Sequence, residues 1–126
     1  MPKLPKEVKK WLDIAKEDLD VARELFKSGR FLYSAFFCQQ TVEKIFKAII
    51  VFETGKEPPY IHDLVILSEK AGFYDDKEKL KILTLHYIKT RYDEVRKKLP
   101  AHSKTVSKML LSFTEEVFKW SLTKFK

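Results

Sequence analysis

Only three glycines occur in 126 residues, and each stands just past a run of apolar residues spaced three and four apart: Gly29, Gly55 and Gly72. A helix that stops needs a residue free to turn through positive φ, and glycine does this without steric cost. The prolines, Pro2, Pro5, Pro58, Pro59 and Pro100, fall outside those runs, where a missing N–H breaks no helical hydrogen bond. No segment alternates apolar and polar residues as a half-buried strand does. Punctuation of this kind predicts an all-α chain.

The first helix is expected from about Pro5 to Ser28, with Val8, Leu12, Ala15, Leu19, Ala22 and Leu25/Phe26 as its inner stripe. The second runs from Phe31 to Glu53 with Ala35, Cys38, Val42, Ile45 and Ile49 inward. Their two-residue link, Gly29–Arg30, makes an antiparallel hairpin. A short helix follows His62–Asp63 and ends at Gly72. A fourth opens at Asp75 with Glu78 as a capping box, carries Leu80, Leu83, Tyr87 and Ile88, and stops somewhere between Tyr92 and Pro100. The last starts near Ser103, an N-cap residue, and holds Val106, Leu110, Phe113, Val117 and Trp120. Four long helices and one short one form an up-and-down helical bundle, a single domain over residues 1–126. A second stripe on the last helix, Leu111, Phe118, Leu122 and Phe125, either meets a second copy of the chain or packs on Leu4 and Trp11.

Several chemistries are excluded by what is missing. There is no glycine-rich phosphate loop, no HExxH, no CxxC and no glycine-flanked serine elbow. The residues three before His62, His86 and His102 are Pro59, Leu83 and Leu99, so the Glu-x-x-His pairs of a di-iron bundle are absent. No metal and no cofactor are expected. No run of about 18 apolar residues exists to span a membrane, and MPKLPKEVKK lacks the apolar core of a signal peptide. With Cys38 as the single cysteine, no intrachain disulfide forms, and a cytoplasmic setting is expected.

The net charge is +7. Between Lys89 and Lys108 seven Lys/Arg stand against Asp93 and Glu94, a surplus of five. Such a segment suits phosphate groups. The same lysine and glutamate richness, with no asparagine at all, is also the surface composition of a thermophile protein, and both readings stay open.

The two glutamines, Gln39 and Gln40, are adjacent inside the apolar second helix. On a helical wheel Gln39 falls with Ala35, Val42 and Phe46 toward the core, and Gln40 with Phe36, Glu43 and Lys47 on the shoulder. A buried amide left without partners costs about 1–3 kcal/mol, so Gln39 is expected to tie neighbouring helices together, with Glu43 paired to Arg91. Alternatively Gln40 and Glu43 line a small polar cleft. Asp63 is expected to cap the third helix. Nothing near His62 in the sequence completes an acid–base set.

Taken in order, AKEDLDVARELFKSGRFLYSAFFCQQTVEKIFKAII, a loop with glycine and prolines, HDL and then YIKTRY resemble the HEPN domain family, over roughly residues 12 to 92. The matching features are Ala15 through Leu19, Ala22, Gly29, Ala35, Phe37, Gln39-Gln40-x-Val42-Glu43-Lys44, Lys47-Ala48, His62-Asp63-Leu64 and Arg91-Tyr92. The resemblance implies a HEPN-like, homodimeric bundle that handles nucleotides or RNA. Stand-alone members commonly pair with a minimal nucleotidyltransferase protein, often as a toxin–antitoxin system. Arg91, Lys97, Lys98 and Lys104 are then the expected phosphate contacts.

Members that cut RNA carry an arginine, four to six residues, then a histidine, and work without metal across a dimer. Arg96 and His102 have five residues between them, so His102 is the candidate general base and Arg96 the phosphate holder. Lys97 departs from the residue usual after the arginine, and Pro100 interrupts the helical path between the two. Three readings follow: a binding module beside a nucleotidyltransferase, a metal-independent ribonuclease, and a structural dimeric bundle without ligand.

Overall fold

The computed structural model describes residues 4–90 and 104–125. Among them are five helices and no strand: α1 Lys6–Lys27, α2 Phe31–Thr54, α3 Leu64–Ala71, α4 Lys77–Thr90 and α5 Lys104–Lys124. The all-α bundle expected from the sequence is the fold observed. Arg91, Tyr92, Arg96, Lys97, Lys98, Pro100, His102 and Ser103 lie outside the described residues, as does the expected stop of the fourth helix.

α1 buries its inner stripe of Val8, Leu12, Ala15, Leu19 and Ala22. It ends where Gly29 turns at φ +80° and the Arg30 amide returns to the Leu25 carbonyl at 2.9 Å. The chain then re-enters as α2, so the hairpin is set by one glycine. Ala15, Ala22 and Ala35 are all buried, and their small side chains let α1 and α2 approach closely. Ser34 Oγ uses that closeness to donate to the Ala22 carbonyl at 2.8 Å.

α2 is the axis of the molecule, packed on α1, α3, α4 and α5. Its apolar positions Ala35, Cys38, Val42, Phe46 and Ile49 are fully enclosed. A helix covered on so many sides offers its polar groups little water, and they must find partners in the protein. Phe46 also joins Phe73, Phe113 and Trp120 in a ring cluster, with neighbouring centroids 4.8–6.4 Å apart. That cluster locks α5 and the α3–α4 link onto α2.

α3 begins as expected, with Asp63 Oδ1 accepting from the Val65 and Ile66 amides at 2.9 and 3.2 Å. Its first amide, on Leu64, is bonded instead by Thr84 Oγ1 of α4 at 3.1 Å. The start of α4 differs from the expected box. Asp76, not Asp75, turns the chain at φ +51°, a conformation aspartate tolerates better than most residues, and its Oδ1 accepts from the Lys79 amide at 3.4 Å. Glu78 is left to an exposed pairing with Lys81 at 3.8 Å. Farther along α4, Leu80 and Leu83 are buried but Ile88 is exposed. The buried neighbour is His86, whose Nδ1–H donates to the Ile82 carbonyl at 2.8 Å.

α5 buries Leu110, Phe113 and Val117 as expected. Its second stripe is largely consumed by the chain itself. Phe125 is fully enclosed, edge-on to Phe52 of α2 at 5.3 Å, and Leu111 is buried too. Phe118 is only partly buried, with Leu4 and Trp11 packed on the same core. Cys38 is sealed within this core; burial pushes its thiol up to about 12, against a weaker opposing hydrogen bond with Thr114.

Candidate functional site

The adjacent glutamines of α2 sit in the middle of one hydrogen-bonded chain. It begins on α1, where Asp18 accepts from Lys44 Nζ at 3.2 Å. Lys44 Nζ also donates to Gln40 Oε1 at 3.0 Å. Gln40 Nε2 donates to Gln39 Oε1 at 2.6 Å, and Gln39 Nε2 to Glu43 Oε1 at 2.9 Å. Glu43 Oε2 takes Lys47 Nζ at 3.0 Å, while Oε1 also takes His62 Nδ1 at 3.0 Å. Two ion pairs are thus connected by two amides. A carboxamide suits the connecting position because it accepts at one end and donates at the other.

Helical spacing explains most of the chain. Gln40 and Lys44, Gln39 and Glu43, and Glu43 and Lys47 are each four residues apart, on neighbouring turns of one face. The contacts beyond α2 are tertiary: Asp18 from α1, His62 from the loop before α3, and the His62 carbonyl, which accepts from Gln39 Nε2 at 3.5 Å. Gln39 is fully buried and Gln40 half-buried, the ranking expected. The partners of Gln39, however, lie on its own helix and on a loop rather than on another helix. The reason is that Glu43 and Lys47, expected on a shoulder, are themselves enclosed. Trp11 of α1 covers Lys47, whose Nζ lies 5.7 Å from the ring centroid, a cation–π distance.

Burial alone would raise the Glu43 carboxyl, but hydrogen bonds from Gln39, His62 and Lys47 hold it below the ordinary carboxylate value. Glu43 is therefore an anion, and an ionised carboxylate only accepts. His62 Nδ1 must carry the hydrogen. The imidazole lies against Tyr87 of α4 at 4.4 Å and 25°, and Tyr87 in turn lies parallel to Phe36 of α2 at 6.2 Å and 11°. His62 keeps 49% of its side chain exposed. Sequence reasoning missed the Glu43–His62 contact, since nineteen residues and a proline-containing loop separate the two. Asp63 is occupied with its cap.

The other candidate region is the described end of the basic segment. Lys104 and Lys108, both exposed, line a surface cleft of about 510 Å³ at the start of α5 with Thr105, Met109 and Ser112. Of the sequence-derived phosphate and catalytic candidates, Lys104 is described, whereas Arg91, Arg96, Lys97, Lys98 and His102 are not. The expected Arg91–Glu43 pair likewise falls outside the described residues. Among the described residues no group of three or more His, Cys, Asp or Glu side chains is placed to hold a metal ion. No described helix is long and apolar enough to cross a membrane.

A family model of the HEPN domain matches residues 8–124. The chain belongs to the HEPN family. HEPN membership thus covers the whole bundle, from the first turn of α1 to the end of α5, and includes both candidate regions. Comparison with curated proteins gives no match. Among solved structures, the HEPN chain is similar in fold to the crystal structure of TT1696 from Thermus thermophilus, at a TM-score of 0.78 and 20% identity, over 95% of this chain and 99% of that one. At that identity the likeness concerns the fold.

Proposed function

We propose that this HEPN protein is a nucleotide- or RNA-binding module, working as a homodimer beside a minimal nucleotidyltransferase protein in a toxin–antitoxin-like pair. The supporting observation is the cleft at the start of α5, where Lys104 and Lys108 stand exposed at one end of a segment with five surplus positive charges. Exposed ammonium groups keep their long-range field and meet phosphates without a desolvation penalty to overcome first. Arg91, Arg96, Lys97 and Lys98 belong to the same segment of sequence and contribute to its surplus charge.

Retention of single-stranded RNA on a filter tests the reading. Each phosphate contact contributes about 0.7 to the log–log salt slope. A quadruple alanine variant of Arg96, Lys97, Lys98 and Lys104 should flatten the slope by about 3 and weaken binding at every salt concentration. Wild type that fails to retain RNA would leave the ligand-free structural bundle as the better description. For the dimer, a two-fold interface on the order of 1,200–2,000 Å² is expected, with half-buried Phe118 at its edge and Phe125 removed from it. Light scattering at the 14.9 kDa monomer mass in micromolar solution would sink the dimer.

The spacing of Arg96 and His102 favours a second reading, a metal-independent ribonuclease. In it His102 takes the proton of a ribose 2′-hydroxyl while Arg96 holds the phosphate. Cleavage of RNA by wild type, lost in His102→Ala, would establish it.

A further inference from the structure

Half of His62 faces water while its Nδ1–H is tied inward to a buried carboxylate. In the neutral imidazole the other ring nitrogen, Nε2, then carries a lone pair in the ring plane. Among the described residues no bond engages it. One face of the ring is fixed on Tyr87. The ring's exposed half offers an apolar surface and a fixed acceptor, which do not compete because one is perpendicular to the ring and the other in its plane.

Cementing a loop does not require this arrangement. Glu43 already has Lys47 and Gln39 as donors, and the loop is tied to α2 through Gln39 and the His62 carbonyl. Tyr60, two residues earlier on the same loop, is 96% exposed. Exposed rings of this kind are the surfaces on which unpaired bases stack. An acceptor beside them can take a hydrogen bond from a 2′-hydroxyl, the group that distinguishes RNA from DNA.

We propose that His62 is a contact residue for single-stranded RNA: its exposed face stacks a base, its Nε2 accepts from a ribose 2′-hydroxyl, and Glu43 is the positioning residue that holds the ring in that tautomer. The inference rests on the RNA-binding reading above and adds a contact that discriminates the sugar. A glutamine at position 43 that keeps its oxygen on the Lys47 cation puts its NH₂ where Oε1 accepted from both Gln39 Nε2 and His62 Nδ1, so the Nδ1–H loses its acceptor. That moves the imidazole hydrogen to Nε2 and turns the acceptor into a donor.

Fluorescence anisotropy with a 12-nucleotide RNA and the DNA of the same sequence tests the site, using wild type, His62→Ala, Glu43→Gln and the Lys104→Ala/Lys108→Ala double variant. Wild type should prefer the RNA. His62→Ala should lose about tenfold in RNA affinity with the RNA-to-DNA ratio falling toward one, in protein that circular dichroism shows to be folded. The double lysine variant should weaken RNA and DNA alike and leave the ratio intact. Imidazole nitrogen-15 shifts should show the hydrogen on Nδ1 in wild type and on Nε2 in Glu43→Gln.

Unchanged affinity and ratio in His62→Ala, with binding weakened by the lysine variant, would overturn the His62 site while the RNA reading stands. A loss shared equally by RNA and DNA would overturn the hydroxyl contact. Wild type that binds neither nucleic acid would remove both proposals. Even if Glu43→Gln fails to fold, the wild-type spectrum still decides: a hydrogen found on Nε2 would overturn the positioning role.

Discussion

Near the centre of α2, Glu43 and Lys47 stand 3.0 Å apart with under a tenth of either side chain exposed, whereas Lys104 and Lys108 at the start of α5 stand in water. The first pair was desolvated in folding, and its stability depends on each group keeping its partners. The second group kept its hydration and contributes little to stability, but its field reaches ligands at a distance. Enclosed charge sets geometry and open charge sets attraction. Here the two occupy separate places.

The widest separation should come from removing a partner. Glu43→Ala leaves Lys47 enclosed without its counter-charge and should cost about 3–5 kcal/mol; Lys104→Ala should stay within about 0.5 kcal/mol. Urea denaturation measures both, and comparable losses would erase the distinction. A smaller gap is expected inside the network. Gln39→Leu strips a donor from Glu43 and an acceptor from Gln40 where no water reaches, for about 1–3 kcal/mol. Gln40→Leu should cost less, since Lys44 keeps Asp18 and the site is half-open. Equal, negligible shifts in thermal midpoint would make the amide pair incidental.

The smallest effect lies in acid. Despite burial, the hydrogen bonds from Gln39, His62 and Lys47 depress the Glu43 carboxyl in the folded state, so as pH falls the unfolded chain takes up this proton first. Stability from Glu43 is then complete above its unfolded value, about 4.3, and is lost as pH drops through the lower folded one. Glu43→Gln should show a shallower acid limb, and Lys104→Ala should keep the wild-type limb. Superimposed limbs for wild type and Glu43→Gln would contradict the assigned shift.

The helices were legible because their signals are local. Gly29, Gly55 and Gly72 all turn at positive φ where the apolar spacing ends, and Val8, Leu12, Ala15, Leu19 and Ala22 of the α1 stripe are buried as read, with Leu25 and Phe26 at its end half-buried. Asp76 taking the place expected for Asp75 is an error of one residue, decided by backbone strain at a turn that spacing does not register. The site was legible in half. That Gln39 lies inside and Gln40 on the edge follows from the helical wheel; the Glu43–Lys47 pair has four-residue spacing, yet Arg91 was the partner expected for Glu43. That Glu43 reaches His62, or Lys44 reaches Asp18, depends on how a loop and a second helix fold back, for which periodicity holds no information. The same limit explains Phe125: its stripe was visible, but not that Phe52 already covers it.

The sealing of Cys38 has a practical consequence. The only thiol in the chain sits where a modifying reagent cannot arrive and, with its proton held to about pH 12, would find little thiolate if it did. Once α2 and α5 part, the same sulfur becomes an ordinary thiol of pKa about 8.5, open to alkylation. The rate at which a small alkylating reagent marks the native protein therefore counts the openings of its core. The unmodified sequence carries its own clock for breathing, placed next to the glutamine at the middle of the buried network.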